Sequence, residues 1–279
     1  MKLSAISRQR QLFSVLALDD VVDLANILSL DLNLVDNLAF LTQVLNLLLE
    51  LSQEVSGIVV DPIYSLPLLG NKAHQAGAII RLEQHQEPDI QALPQLFPNF
   101  SLMEIKNNYA LAKLAINYQA HEEQALAKKQ LLAEIRNYSQ DIQIDFLLKL
   151  NANFDNEEVL LSSVQELWRF ADILVLDNIN DPLLAATISS ELDIPWLLSA
   201  DYRQKLTYTQ FKDSFRLAME NGARGFYLGN FLWQELAQFR QNDQEFDWSG
   251  LENFVRTQLR DQIIELNRIA EELVLEPFG

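Results

Sequence analysis

Eight short apolar runs separated by longer amphipathic stretches predict an eight-stranded (β/α)8 barrel, the TIM-barrel class of α/β fold. Two further observations favour it over an open, doubly wound sheet. A count of eight suits closure, and the first run leads into Asp19-Asp20-Val21-Val22-Asp23 rather than a Gly-x-Gly-x-x-Gly dinucleotide turn. A chain of 279 residues that is 49% hydrophobic supplies the core of one such barrel, so residues 1–279 read as a single domain.

The runs are rich in Val, Ile, Leu and Phe and end on polar or small residues, as strands do where they open onto a loop-built face. In order they are Leu12–Asp19, Gly57–Asp61 before the turn residue Pro62, Gly77–Leu82, Ala112–Asn117, Ile144–Leu150, Asp172–Asp177, Pro195–Ser199 and Gly225–Gly229. Between them, i, i+3, i+4 apolar spacing predicts helices over Val35–Leu51, Glu122–Tyr138, Val159–Phe170, Thr209–Asn221 and Leu251–Val274. Asn221-Gly222 reads as a glycine stop, and the last helix as a barrel helix or an oligomer contact. Residues 83–108 hold Pro88, Pro94 and Pro98 and no clear helix, so they read as a long loop that crosses the barrel mouth or runs over the surface.

Composition removes several function classes. No cysteine is present, which excludes disulfides, a thiolate nucleophile and Cys-ligated zinc. His74, His85 and His121 are scattered, match no helical metal or triad spacing, and read as surface residues, so no metal or other cofactor is expected. The chain shows no secretory leader and no uninterrupted membrane-length apolar stretch, which predicts a cytoplasmic protein. A formal charge of −18 repels phosphate backbones and anionic membranes, arguing against nucleic-acid and membrane partners. A small anionic ligand would need a local cluster of Lys, Arg or oriented N–H groups.

In a closed barrel the carboxyl ends of the strands converge on one pocket. That places Asp19, Asp61, Lys113, Lys149, Asp177, Ser199, Asp201 and Asn230 as candidates. Two lysines on apolar strands are the least ordinary of these, because a buried, unpaired ammonium is costly and its pKa falls. Lys149 beside Asp19 or Asp177 would be a reactive amine or a buried ion pair. Asp61-Pro62 is a ligand contact or a strand-ending cap. Trp196 and Trp233 read as packing aromatics rather than sugar platforms.

Five segments, in order and spacing, carry a resemblance to the class I aldolases that include tagatose-bisphosphate aldolase and bacterial sulfofructose-phosphate aldolase. They are Val15–Asp20, Val55–Asp61, Ala112–Tyr118, Ile194–Ala200 and Met219–Trp233, the last similar to the family's Ala-Gly-Ala-x-Gly-Phe-x-x-Gly-Arg-Ala-x-Trp. The resemblance spans nearly the whole chain and implies an aldolase-type barrel. Asp19, Asp61 and Lys113 match the family's aspartates on strands one and two and its strand-four lysine. Lys149 stands where the family has a proton-handling carboxylate. The strand-six Lys-Val-Glu is here Val175-Leu176-Asp177, so Val175 occupies the imine-forming position and has no amine to react. Leu-Ser-x-Gly has become Leu198-Ser199-Ala200-Asp201, and Gly-Arg has become Gly229-Asn230. The resemblance assigns Ser199, Asp201, Gly229 and Asn230 to the site that grips a phosphate or sulfonate, where an arginine fork is now missing and a carboxylate present. A like charge at about 4 Å in an effective dielectric near ~20 costs several kcal/mol.

Two functions follow from these departures. One is a degenerate, non-catalytic aldolase-family barrel used in binding, regulation or assembly, a pseudoenzyme whose ligand is a small carbonyl or sugar-derived compound. The other is a metal-independent aldehyde-lyase of carbohydrate metabolism in which Lys149 or Lys113 supplies the Schiff-base amine, with Asp19 or Asp177 as proton shuttle. A homo-oligomer is compatible with either.

Overall fold

The computed structural model of the protein describes residues 2–85, 92–151, 157–200, 206–241 and 246–274. The eight runs form a closed, parallel barrel in chain order. Its strands are β1 (Phe13–Leu18), β2 (Gly57–Val60), β3 (Gly77–Arg81), β4 (Ala110–Ile116), β5 (Phe146–Leu150), β6 (Ile173–Asp177), β7 (Trp196–Ser199) and β8 (Gly225–Leu228). Each lies within two residues of its predicted bounds. β1 closes the ring by pairing with both β2 and β8, and Phe13 lies opposite Gly225. There φ is +141°, and a Cβ would lie 1.7 Å from the Phe13 carbonyl oxygen, so the seam requires glycine.

Helices surround the strands: α1 (Val21–Ile27), α2 (Val35–Leu49), α3 (Leu102–Asn107), α4 (Ala125–Asp141), α5 (Glu157–Leu167), α6 (Pro182–Glu191), α7 (Tyr208–Glu220), α8 (Asn230–Trp233), α9 (Trp248–Phe254) and α10 (Arg260–Leu273). A π-helical turn at Val255–Leu259 joins α9 to α10. Leu251, Val255, Leu259, Ile263, Leu266 and Ile269 of that stretch are buried in the main core, which makes it a barrel helix. Trp196 and Trp233 are buried in the same core, as packing aromatics. The glycine stop of α7 is present, with Gly222 at φ +102°.

The stretch 83–108 corrects one expectation, because it holds α3. Ser101 caps α3 by accepting the Met103 N–H, while Glu104 reaches back to the Ser101 N–H, forming a capping box. Before α3 the chain doubles back, pairing Glu83 antiparallel with Leu96. Glu83, Gln84, His85, Ala92 and Pro94 line the barrel mouth, while residues 86–91 lie outside the described residues. No helix among the described residues is long and apolar enough to cross a membrane.

Two apolar layers hold the fold together. The larger lies between strands and helices. The smaller fills the barrel itself with Phe13, Val15, Val59, Ile79, Leu111, Leu147, Ile173, Val175, Leu197 and neighbours, and Ile6 is buried among them. Because side chains alternate along a strand, the next inward position lies two residues further on. From Ala17, Val59, Ile79, Leu111, Leu147, Val175 and Leu197 that step leads to Asp19, Asp61, Arg81, Lys113, Lys149, Asp177 and Ser199. One step along the strands turns an apolar plug into a tier of polar, mostly charged groups.

Candidate functional site

The tier opens into a cavity of about 350 Å³ at the carboxyl ends of the strands. Of the predicted residues, Asp19, Lys113, Lys149, Asp177, Ser199, Gly229 and Asn230 line it together. Asp201 lies outside the described residues. Asp61 is not among the lining side chains. Its carboxylate accepts the N–H groups of Ile63, Tyr64 and Ser65 and the Ser65 hydroxyl, so it caps the turn after β2. Burial raises its pKa, and those hydrogen bonds only partly offset the rise.

Lys113 is at the centre of the mouth. Its ammonium donates to Asp19 at 2.9 Å and Glu83 at 2.5 Å, and its side chain is 3% exposed. Burial alone would depress its pKa, but Asp19 and Glu83 more than compensate and hold it above its ordinary value. Arg81 is equally enclosed: it donates to the Asp19 carbonyl, the Glu83 carbonyl and the Asp20 carboxylate, the last at 2.9 Å. Asp20 loses hydration in the mouth, yet Arg81, then Lys113 and Lys149, draw its pKa below the ordinary carboxylate range.

Lys149 differs from both. It lies 3.4 Å from Asp177 and over the Tyr227 ring, 5.8 Å from the centroid, and its side chain is 16% exposed. Its carboxylate is therefore Asp177, while Asp19 belongs to Lys113. The Tyr227 phenol reaches Asp19 at 3.5 Å, and burial, followed by the charges of Asp19 and Asp20, pushes its pKa well up. Val175, level with Lys149 on the neighbouring strand, is wholly buried in the apolar plug.

The position after Gly229 does not replace an arginine fork. The Asn230 amide donates to Asp23 at 3.0 Å and Asp20 at 3.5 Å, facing carboxylates. His85, expected at the surface, lines the cavity, whereas His74 and His121 are exposed. Asp20, Asp23 and His85 bring ligand-capable atoms within 4.8 Å of one another, the one group among the described residues with metal-binding geometry. Arg81 and Asn230 already occupy its carboxylates.

Sequence reasoning missed Arg81, Glu83, Asp20 and Tyr227. Strand parity carried the signal for two of them, since Arg81 follows Ile79 by two residues and Tyr227 sits midway along β8. Glu83 continues the parity of Ile79 and Arg81 but lies beyond its strand, where it pairs antiparallel with Leu96.

No family model and no curated protein matches the chain. Solved structures do match its fold. An archaeal fructose 1,6-bisphosphate aldolase superposes with a TM-score of 0.69 at 15% identity, covering 96% of each chain. A second archaeal fructose-1,6-bisphosphate aldolase, captured with its catalytic lysine bound to the carbinolamine intermediate, gives 0.69 at 14%, covering 95% of this chain and 96% of the other. A Corynebacterium glutamicum protein gives 0.65 at 12%, covering 96% and 88%. The barrel is of the aldolase type.

Proposed function

We propose that this chain is an aldolase-type barrel that no longer forms the imine of the class I aldolases it resembles and whose mouth binds a small carbonyl or sugar-derived compound. Val175 carries the reading: it stands where the resemblance places the reactive lysine, has no amine, and is sealed in the plug. The mouth supports it, since its most enclosed cations are both engaged, Lys113 by two carboxylates and Arg81 by a carboxylate and two chain carbonyls. A lysine so held is ionised, and an ammonium has no lone pair for a carbonyl carbon. Purified protein assayed with fructose 1,6-bisphosphate, tagatose 1,6-bisphosphate and their triose phosphates should show neither cleavage nor condensation above background. Turnover in either direction overturns the reading.

Lys149 favours a second reading, that of an aldehyde-lyase using an amine on β5. It is the least enclosed cation of the mouth, with Asp177 and Tyr227 beside it for proton transfer. Borohydride trapping tests this. An adduct on Lys149 supports it, and none with a panel of aldehydes and ketones refutes it.

A further inference from the structure

The charge of the mouth says which ligands it takes. Among the described residues five carboxylates line the cavity, from Asp19, Asp20, Asp23, Glu83 and Asp177, against three cations, Arg81, Lys113 and Lys149. All three cations are engaged: Arg81 by Asp20 and Glu83, Lys113 by Asp19 and Glu83, Lys149 by Asp177. An incoming anion would therefore meet surplus negative charge and would have to displace a carboxylate to gain a donor.

A second observation points the same way. Glu83 is 5% exposed and lines the cavity, and its Oε2 has no hydrogen-bond partner among the described residues. A buried carboxylate oxygen left without a donor is unfavourable, and a ligand that brings an N–H and a positive charge removes that defect. At the rim, Asp20, Asp23 and His85 converge within 4.8 Å, extending the acidic wall outward.

Resting on the reading of the mouth as a binding site, we infer that its ligand carries a positive charge: a small hydroxylated or carbonyl compound bearing an ammonium group, not a sugar phosphate. The ammonium faces Glu83 and the Asp20–Asp23 rim, and the hydroxyl or carbonyl end faces Lys149 and Ser199. A metal ion fits the rim less well. The Asn230 amide donates to Asp23, and Arg81 holds Asp20, so both carboxylates already accept from donors that a metal would have to displace.

The test compares ligands of one skeleton in three charge states: serinol, glycerol and glycerol 3-phosphate, then glucosamine, glucose and glucose 6-phosphate. Binding to the full chain is followed by ligand-observed NMR at low and high salt, with manganese chloride as a separate arm. The amino member of each set should bind at least about tenfold more tightly than the phosphorylated one. That preference should shrink with salt, in Glu83→Gln, and in Asp23→Asn at the rim should Glu83→Gln fail to fold. Equal or tighter binding of a phosphorylated or neutral member overturns the inference and leaves the binding site standing. Manganese binding without amine binding also overturns it. Binding by no member contradicts the binding site as well.

Discussion

The floor and the mouth of the barrel are built from the same eight strands, one inward step apart, and are opposite in chemistry. The floor is an apolar plug closed by Phe13, Leu147, Val175 and Leu197. The mouth is an ion cluster around Lys113 and Arg81. The floor is stabilised by close packing, which tolerates conservative exchange. The mouth is stabilised by mutual neutralisation, which fails when one member is removed. Val175 belongs to the floor, one inward step below Asp177 on β6.

Lys113→Met breaks the contrast most severely. It leaves Asp19 and Glu83 buried without their shared cation and should cost about 3–5 kcal/mol in denaturant unfolding. A loss below about 1 kcal/mol would mean the mouth is as solvated as an ordinary surface. Leu147→Ala in the floor should cost about 2–5 kcal/mol, according to how far the plug collapses. Lys149→Met removes a longer and more open pair, and about 1–2 kcal/mol is expected.

Titration separates the regions further. The carboxyl of Asp20 is held below its ordinary value of 3.8, so its contribution is complete above 3.8 and is lost as pH falls toward the lower folded value. Lys113 is held above 10.5, so its contribution is complete below 10.5 and disappears only as pH rises through its folded value. Unfolding free energy followed against pH should lose part of its acid-side slope in Asp20→Asn. The smallest effect is spectroscopic. Of seven tyrosines, Tyr118, Tyr208 and Tyr227 are held above 10, by burial first and neighbouring carboxylates second. Absorbance at the phenolate band should lose one late-titrating group in Tyr227→Phe.

Much of this contrast can be read from sequence. Parallel strands buried on both faces read as apolar runs, which is why all eight were visible. α6 was missed because its apolar residues begin as an unbroken run, Leu183, Leu184, Ala185 and Ala186, which masks the Leu184–Ile188 spacing of its buried face, although Asp181-Pro182 announces its start and Asp181 accepts the Leu184 N–H at 2.8 Å. α1 and α3 are short, with seven and six residues, too few for a period to emerge. In the site, Asp19, Lys113, Lys149 and Asp177 stood out as charges on apolar strands. Their pairing did not, because strand stagger and the reversal after β3 decide which carboxylate reaches which lysine. Glu83, the second carboxylate of Lys113, sits in the stretch where the sequence offered only prolines.

The proposal that this barrel forms no imine is tested most directly by reductive trapping. The protein is incubated with dihydroxyacetone phosphate, dihydroxyacetone and glyceraldehyde in cyanoborohydride, and adducts are mapped by peptide mass spectrometry. The account predicts that Lys113 and Lys149 are labelled no faster than the exposed Lys106. A stoichiometric adduct that accumulates on Lys149 or Lys113 ahead of Lys106 would contradict it.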